Sequence, residues 1–348
     1  FHMLEQKGYA TTIKSAKKPV ERESPEVWEV LDEVIAEHPI LLNRQPTLHR
    51  HNIMAFYPKL IDGKAIRLHP LVCNAFNADF DGDTMTIHIP LSSAAQTESR
   101  RLMMPKENIL SPANAKPVIV PTKDIILGIH YLTKERPDAK GEGMLFSNLE
   151  EVRIAYDSRC LSLHARIKVR IDKERVETTT GRVILKEILP AGIHFSMINK
   201  AMTKKDIEGL ILFIISEIGF KTASEFLYNI TRLGFEYATS SGISFSIKDI
   251  ADSQCFNIIS MMIESGVLDN FNKTNQIAGI KDDIEDSANN SLKHPALSNY
   301  REGLSPIEFL KTTPSIGKRV SDKLKKLAGH LNRKLIHAVQ DIIITEED

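Results

Sequence analysis

Cysteine, tryptophan and net charge are the scarce things in this chain of 348 residues, and each scarcity removes a class of protein. The three cysteines, Cys73, Cys160 and Cys255, stand far apart with no paired spacing, which excludes a disulfide framework or a zinc ribbon and makes a reducing compartment the expectation. Lys and Arg number 45 against 45 Asp and Glu, so the molecule as a whole is no polycation coating nucleic acid, and any basic surface must be local. No apolar run approaches the roughly 20 residues that span a bilayer, and the start has no signal-peptide pattern. No internal repeat or low-complexity tract is present. The hydrophobic share of 42% with 26% charged residues is that of a folded chain with a sizeable core and room for two or more domains. The chain opens on Phe-His-Met, which reads as a piece of something longer.

What is there is concentrated in one heptad, Asn77-Ala78-Asp79-Phe80-Asp81-Gly82-Asp83. Side chains at i, i+2 and i+4 of an extended segment project to one side, so Asp79, Asp81 and Asp83 converge. Carboxylates that close repel each other unless a cation sits among them or some stay protonated. An all-oxygen set suits a hard ion such as Mg²⁺. A calcium loop of the EF-hand type needs Gly at its sixth position and Glu at its twelfth. Counted from Asp79 these positions hold Thr84 and Pro90, so the calcium reading fails. A solvated acidic loop is the bland alternative; the Phe and Gly among the acids read instead as a tight, partly buried loop.

Around the heptad the texture changes along the chain. Ser24-Pro25-Glu26 reads as a helix start, with Val27, Trp28, Leu31, Val34 and Ile35 at helical spacing and Pro39 as the stop. Residues 61–64 read as a hairpin turn between strands at 57–60 and 65–68. Met85, Ile87 and Ile89 alternate with polar residues, the pattern of a half-buried strand. A helix is expected over 93–104, an irregular stretch over 106–123, and a strand pair between 161–171 and 182–189. Helical spacing returns over 204–218 and 223–233. Residues 269–299 read as a polar loop, and 306–341 as a terminal helix interrupted at Pro314 and Gly317. That helix carries Lys318, Arg319, Lys323, Lys325 and Lys326, whose plainest reading is a solvated face. His38, His49, His51, His69 and His88 lie near the triad without zinc spacing and read as satisfied structural histidines; Cys73 reads as a small apolar filler.

The heptad resembles the signature of the largest subunit of multisubunit RNA polymerases, the β′ subunit of bacteria. An ordered series of segments agrees with it: Leu42-Asn43-Arg44-Gln45-Pro46-Thr47, Leu68-His69-Pro70-Leu71, Asn108-Ile109-Leu110-Ser111-Pro112 and Val120-Pro121-Thr122-Lys123-Asp124. The similarity is dense over 8–169, thinner to 242, and patchy beyond. The resemblance implies an α+β chain in four regions. These are a partial double-psi β-barrel with the Asp loop over 1–115, a mixed α/β pore-lining region over 116–250, a linker with residual pore over 251–304, and a bridge-type helix over 305–348. It implies a Mg²⁺ held by Asp79, Asp81 and Asp83, with Arg44, Asn77 and Lys281 contacting the nucleotide and the terminal lysines and arginine contacting nucleic acid. The partners it implies are a second large, β-type subunit, the remaining β′ portions, α-type and other polymerase subunits, a DNA template, an RNA transcript and nucleoside triphosphates. The location it implies is the bacterial cytoplasm and nucleoid, or an organellar or viral equivalent, with no membrane. The implied reaction is attack of an RNA 3′-hydroxyl on the α-phosphate of a nucleoside triphosphate, by a chain active only with its other subunits.

Departures qualify the resemblance. Thr84 and Thr86 replace residues usual after the heptad, and Pro314 and Ile316 sit where the family has a pliant run. Lys281 replaces an arginine and loses its bidentate fork. A helical hairpin is expected to be deleted between Ile250 and Ser253. The clamp, the zinc-binding segment and the first barrel strands are expected before residue 1, and the trigger loop after Asp348. Two rivals stand beside this reading: a divergent, non-polymerising relative acting in assembly or DNA binding, and a magnesium-dependent nuclease.

Overall fold

The computed structural model describes residues 1–171, 174–244 and 258–267, with His330, Leu331, Lys334 and Ala338 as isolated helical positions. Residues 1–242 with 265–267 make one compact unit, and a second unit contains helix Ile258–Glu264.

The first unit opens with three helices, α1 (His2–Gln6), α2 (Ile13–Glu21) and α3 (Pro25–Ala36). Thr12 starts α2 through a capping box with Ser15, which satisfies two of the amides a helix start leaves unpaired. Leu4, Ala16 and Val30 bury together as a small satellite core. The α3 start falls at Ser24-Pro25 as the sequence predicts, but Ser24 makes no side-chain cap bond and Trp28 is exposed, its indole donating to the Glu23 carbonyl at 3.2 Å.

β1 (Ile40–Asn43) is the centre of an antiparallel sheet, flanked by β2 (Ile53–Phe56) and β3 (Thr86–His88). Leu42 faces both Met54 and Ile87 in register. Among the described residues this is an open three-stranded sheet rather than a closed barrel. Leu42 and Met54 are buried, whereas Ile87 on the same edge is 50% exposed and Ile89 also lies open, so the half-buried pattern expected of β3 is not realised. The hairpin expected at 57–60 and 65–68 is corrected as well. Only the bend forms, with Gly63 at φ +107, because Pro58 cannot donate to a ladder and no layer covers Leu60, Ile61 or Ile66. The β1–β2 pair takes its place.

α4 (Pro70–Phe76) and α5 (Ser93–Leu102) pack beside this sheet, and α5 ends a residue or two before the predicted Pro stop. The principal core lies beyond, around α6 (Asp124–Thr133), which is buried on nearly every side. β4 (Leu145–Phe146), β5 (Arg166–Ile171) and β6 (Glu174–Thr179) form a second sheet, β4 parallel and β6 antiparallel to β5. α7 (Leu149–Asp157) and α8 (Thr180–Glu187) pack on it, while α9 (Lys204–Glu217) packs on α10 (Phe220–Ser241), which lies along α6. The predicted strand at 182–189 is therefore a helix. Val183-Ile184-Leu185 is a run with no period of its own, and Thr179 tips it into helix by accepting the Arg182 amide as N-cap. α6 fits its slot because two glycines let backbones meet. A Cβ on Gly128 would lie 1.9 Å from the Gly234 carbonyl oxygen of α10, and one on Gly181 would lie 1.8 Å from the Leu132 carbonyl oxygen.

Candidate metal centre

The site is assembled where β1 and α4 both end. α4 terminates at Asn77, which adopts the left-handed conformation (φ 51, ψ 41) that asparagine tolerates better than most residues. The Ala78 amide closes the turn on the Cys73 carbonyl at 2.8 Å. The chain then loops through Asp79–Asp83, helped by Gly82 at φ +126, a value that a side chain would strain. The loop closes on itself because the Asp79 amide donates to Asp83 Oδ2 at 3.0 Å. β3 leaves it and pairs with β1, Asn43 opposite Thr86, which brings Arg44, the residue just after β1, alongside Asp83.

The three aspartates do come together: each offers a carboxylate oxygen lying within 4.8 Å of the others. All three residues are exposed, and Phe80 is 77% exposed, so the expected partly buried loop is instead open to solvent. Arg44 forks onto Asp83, Nε to Oδ2 at 2.7 Å and Nη2 to Oδ1 at 3.2 Å. Three carboxylates against that one guanidinium leave a formal charge of −2 when all are ionised. The titration behaviour divides accordingly. Hydrogen bonding with Asp81, then desolvation and the negative neighbours, raises the Asp79 carboxyl above the usual carboxylate range. The Arg44 fork, aided by the Asp79 amide, lowers that of Asp83. Arg44 itself is pushed up by Asp83. A raised acid beside a lowered one follows from crowded carboxylates of which only Asp83 is paired with a cationic side chain.

The donor set fits a hard divalent ion. Mg²⁺ binds oxygens at about 2.0–2.1 Å, so neighbouring ligands of one octahedron stand about 3 Å apart. Exposed aspartates reach that separation by side-chain rotation from the present spacing. Beside the triad lies a cavity of about 520 Å³, lined by Lys64, Ile66, Phe80 and Met85 with the loop itself. Arg44 Nη1 makes no hydrogen bond to any described residue.

One functional residue escapes sequence reasoning. Asn52, almost fully buried, accepts the Leu48 and His49 amides through Oδ1 at 3.0 and 3.1 Å and directs Nδ2 to the Ala75 and Phe76 carbonyls at 3.4 Å. Its own carbonyl accepts the Arg44 amide at 3.1 Å. Asn52 thereby ties the Arg44 loop, with its cis Gln45–Pro46 bond, to the end of α4. A lone asparagine after a histidine gives no pattern to read. The histidines are mostly structural as expected: His38 bonds the Pro90 carbonyl at 3.0 Å, His69 caps α4, and His49 caps the turn that begins at Arg50. His51 is the exception, buried with Nε2 unpaired and its pKa lowered by that burial. Cys73 is half-buried, and burial raises its thiol. Lys281, Lys318, Arg319, Lys323, Lys325 and Lys326 lie outside the described residues.

Similarity to known proteins agrees with this local picture. Residues 2–105, which include the aspartate loop, match the family described as RNA polymerase Rpb1, domain 2. Residues 108–250 match RNA polymerase Rpb1, domain 3. The chain is 42% identical to the DNA-directed RNA polymerase subunit beta′ of Thermodesulfovibrio yellowstonii and to that of Syntrophobacter fumaroxidans, and 41% identical to that of Nitrosococcus oceani. Each match takes in the whole of this chain, which spans 31% of each relative. The first alignment runs over 420 residues against 348 here, so 420 less 348, or 72, of its positions have no counterpart. No described helix is long and apolar enough to cross a membrane. Matched across both regions and through its aspartate loop, the chain belongs to the family of largest, β′-type subunits of DNA-directed RNA polymerase.

Proposed function

We propose that this chain carries the catalytic centre of a DNA-directed RNA polymerase, with Asp79, Asp81 and Asp83 holding a Mg²⁺ ion. The observation that supports this most directly is the meeting of three carboxylate oxygens within 4.8 Å beside a cavity of nucleotide size. A bound magnesium ion there supplies Lewis acidity toward an RNA 3′-hydroxyl and the phosphates of an incoming nucleoside triphosphate. The protein's own groups do the rest. Arg44 keeps Asp83 ionised and pointed inward through both ends of its carboxylate, and leaves Nη1 for the nucleotide. Asn77 presents its amide to the ribose from the end of α4, while Asn52 holds the Arg44 loop in register.

In this reading β1–β3 are part of a double-psi β-barrel and residues 116–250 belong to the pore-lining region, while the bridge helix expected over 305–348 lies outside the described residues. The open edge of β3 is what a barrel completed by further strands requires. A β-type subunit, the remaining β′ portions and α-type subunits complete the enzyme, and Lys281 and the terminal lysines contact substrate and nucleic acid. The test is Asp81→Asn in the full-length subunit, assembled with its partners and supplied with a primer–template. RNA extension should fall by more than about 100-fold, since loss of an outer-shell partner alone costs about 10–100-fold. Assembly, checked by gel filtration, should be unchanged. An undiminished extension rate would refute the proposal.

A further inference from the structure

The second sheet carries a charged face that the metal centre does not use. β5 alternates strictly: Ile167, Val169 and Ile171 are buried, while Arg166, Lys168 and Arg170 face out. The antiparallel register sets Arg175 directly opposite Arg170, and Glu177 opposite Lys168. Like charges directly opposed weaken a strand pair. Arg166 is neutralised by Glu135 at 3.1 Å, with Glu177 at 3.9 Å. Lys168, Arg170 and Arg175 form no ion pair with any described residue. The three line one concavity of about 410 Å³ together with Leu145, Phe146 and Ser147. Leu145, opposite Lys168 on β4, is 69% exposed.

We propose that this face binds the phosphates of a single-stranded nucleic acid, at a site separate in sequence from the aspartate loop. An anion between Arg170 and Arg175 converts an unfavourable cross-strand pair into a two-armed clamp, and the guanidinium fork matches phosphate oxygens. Residues two apart on a strand stand about 6.7 Å apart, which lets Lys168 and Arg170 take successive phosphates of an extended strand. Leu145 gives the sugar or base an apolar surface beside the charges. An acidic protein segment would use the same cations but does not reproduce the regular phosphate spacing that Lys168 and Arg170 match.

The test measures fluorescence anisotropy of a fluorescein-labelled oligouridylate with the full chain across a potassium chloride series. The triple variant Lys168→Gln/Arg170→Gln/Arg175→Gln, at exposed positions, should lose at least tenfold in affinity. Its plot of log affinity against log salt should flatten by about 2, from about 0.7 per phosphate released. Arg175→Gln alone should flatten it by about 0.7, which keeps the test intact should the triple variant fail to fold. Both variants should bind Mn²⁺ as the parent does, so this result and the fate of the metal centre are read separately. An unchanged slope in both the triple and the Arg175→Gln variants would overturn the proposal. So would polyglutamate that binds more tightly than the oligonucleotide and loses its affinity in the same variants, which would assign the face to an acidic protein.

Discussion

Gly128→Ala adds one methyl group to the most enclosed helix in the molecule, and the structure says how far that methyl reaches. Its Cβ would stand 1.9 Å from the Gly234 carbonyl oxygen, 2.8 Å from the Ala238 nitrogen and 2.9 Å from the Gly234 carbonyl carbon. All three are backbone atoms and cannot rotate away. Restoring ordinary contact at about 3.4 Å means parting α6 from α10 by roughly 1.5 Å, and a gap of even 0.5–1 Å forfeits a quarter to a half of each dispersion contact along the seam. Ile125, Ile126, Ile129 and Leu132 on α6 all depend on that packing. Overpacking of this kind costs about 1–3 kcal/mol and more where nothing can yield, against which alanine's better helix propensity returns about 1 kcal/mol. The net expectation is a loss of about 2 kcal/mol or more. Gly209→Ala is the internal comparison: Gly209 also lies in a helix, α9, but an added Cβ meets nothing within 4 Å. That variant should gain up to about 1 kcal/mol. Urea unfolding followed by far-UV circular dichroism reads both. Two changes of the same sign would refute the close-approach argument for α6.

The remaining expectations concern the metal centre and its supports. Because the Asp79 pKa is raised and that of Asp83 lowered, Mn²⁺ affinity should decline first as pH falls through the Asp79 titration, where binding must expel a proton. It should decline further only below the ordinary aspartate pKa of about 3.9, where Asp83 protonates; calorimetric titration carried from pH 7 to below that value shows whether the loss has this order. Arg44→Gln removes the principal cause of the Asp83 depression, so the second stage should move to higher pH. Asn52→Ala strands two amides and two carbonyls in a buried place and should cost about 1–3 kcal/mol in unfolding experiments, with slower RNA extension in the assembled enzyme. Ile129→Ala, at a fully buried site, should cost about 2–5 kcal/mol without altering Mn²⁺ affinity.

The parts of this molecule that a reader of the sequence can recover are those whose cause is local. Asp79, Asp81 and Asp83 converge because alternation and Gly82 act over five residues, and the starts of α3, α5 and α9 follow from Ser24-Pro25, Ser92 and Thr203. The failures have non-local causes. β6 and α8 divide at Thr179, and the deciding influence is the register of β5 against residues 174–179, which no short window contains. α6 leaves no signal in the sequence because a helix buried on nearly all sides has no amphipathic stripe to betray it. The fork of Arg44 onto Asp83 depends on β1 and β3 lying side by side, a pairing of residues 39 positions apart that no short window contains. Phe80 and Ile87 mislead in the opposite sense, since apolar residues predict burial and these two remain in solvent.

The bare flank of β3 has a practical consequence at the bench. Ile87, Ile89 and Leu91 lie uncovered next to a row of main-chain groups that no described strand pairs with, which is the geometry by which sheets recruit strangers. Purified by itself, this polypeptide carries an adhesive seam among its described residues, and self-association at high concentration is expected to follow it. Co-expression with whatever covers it is the sound route to well-behaved material, and a lysine at position 89 is the simplest substitute when no cover is at hand.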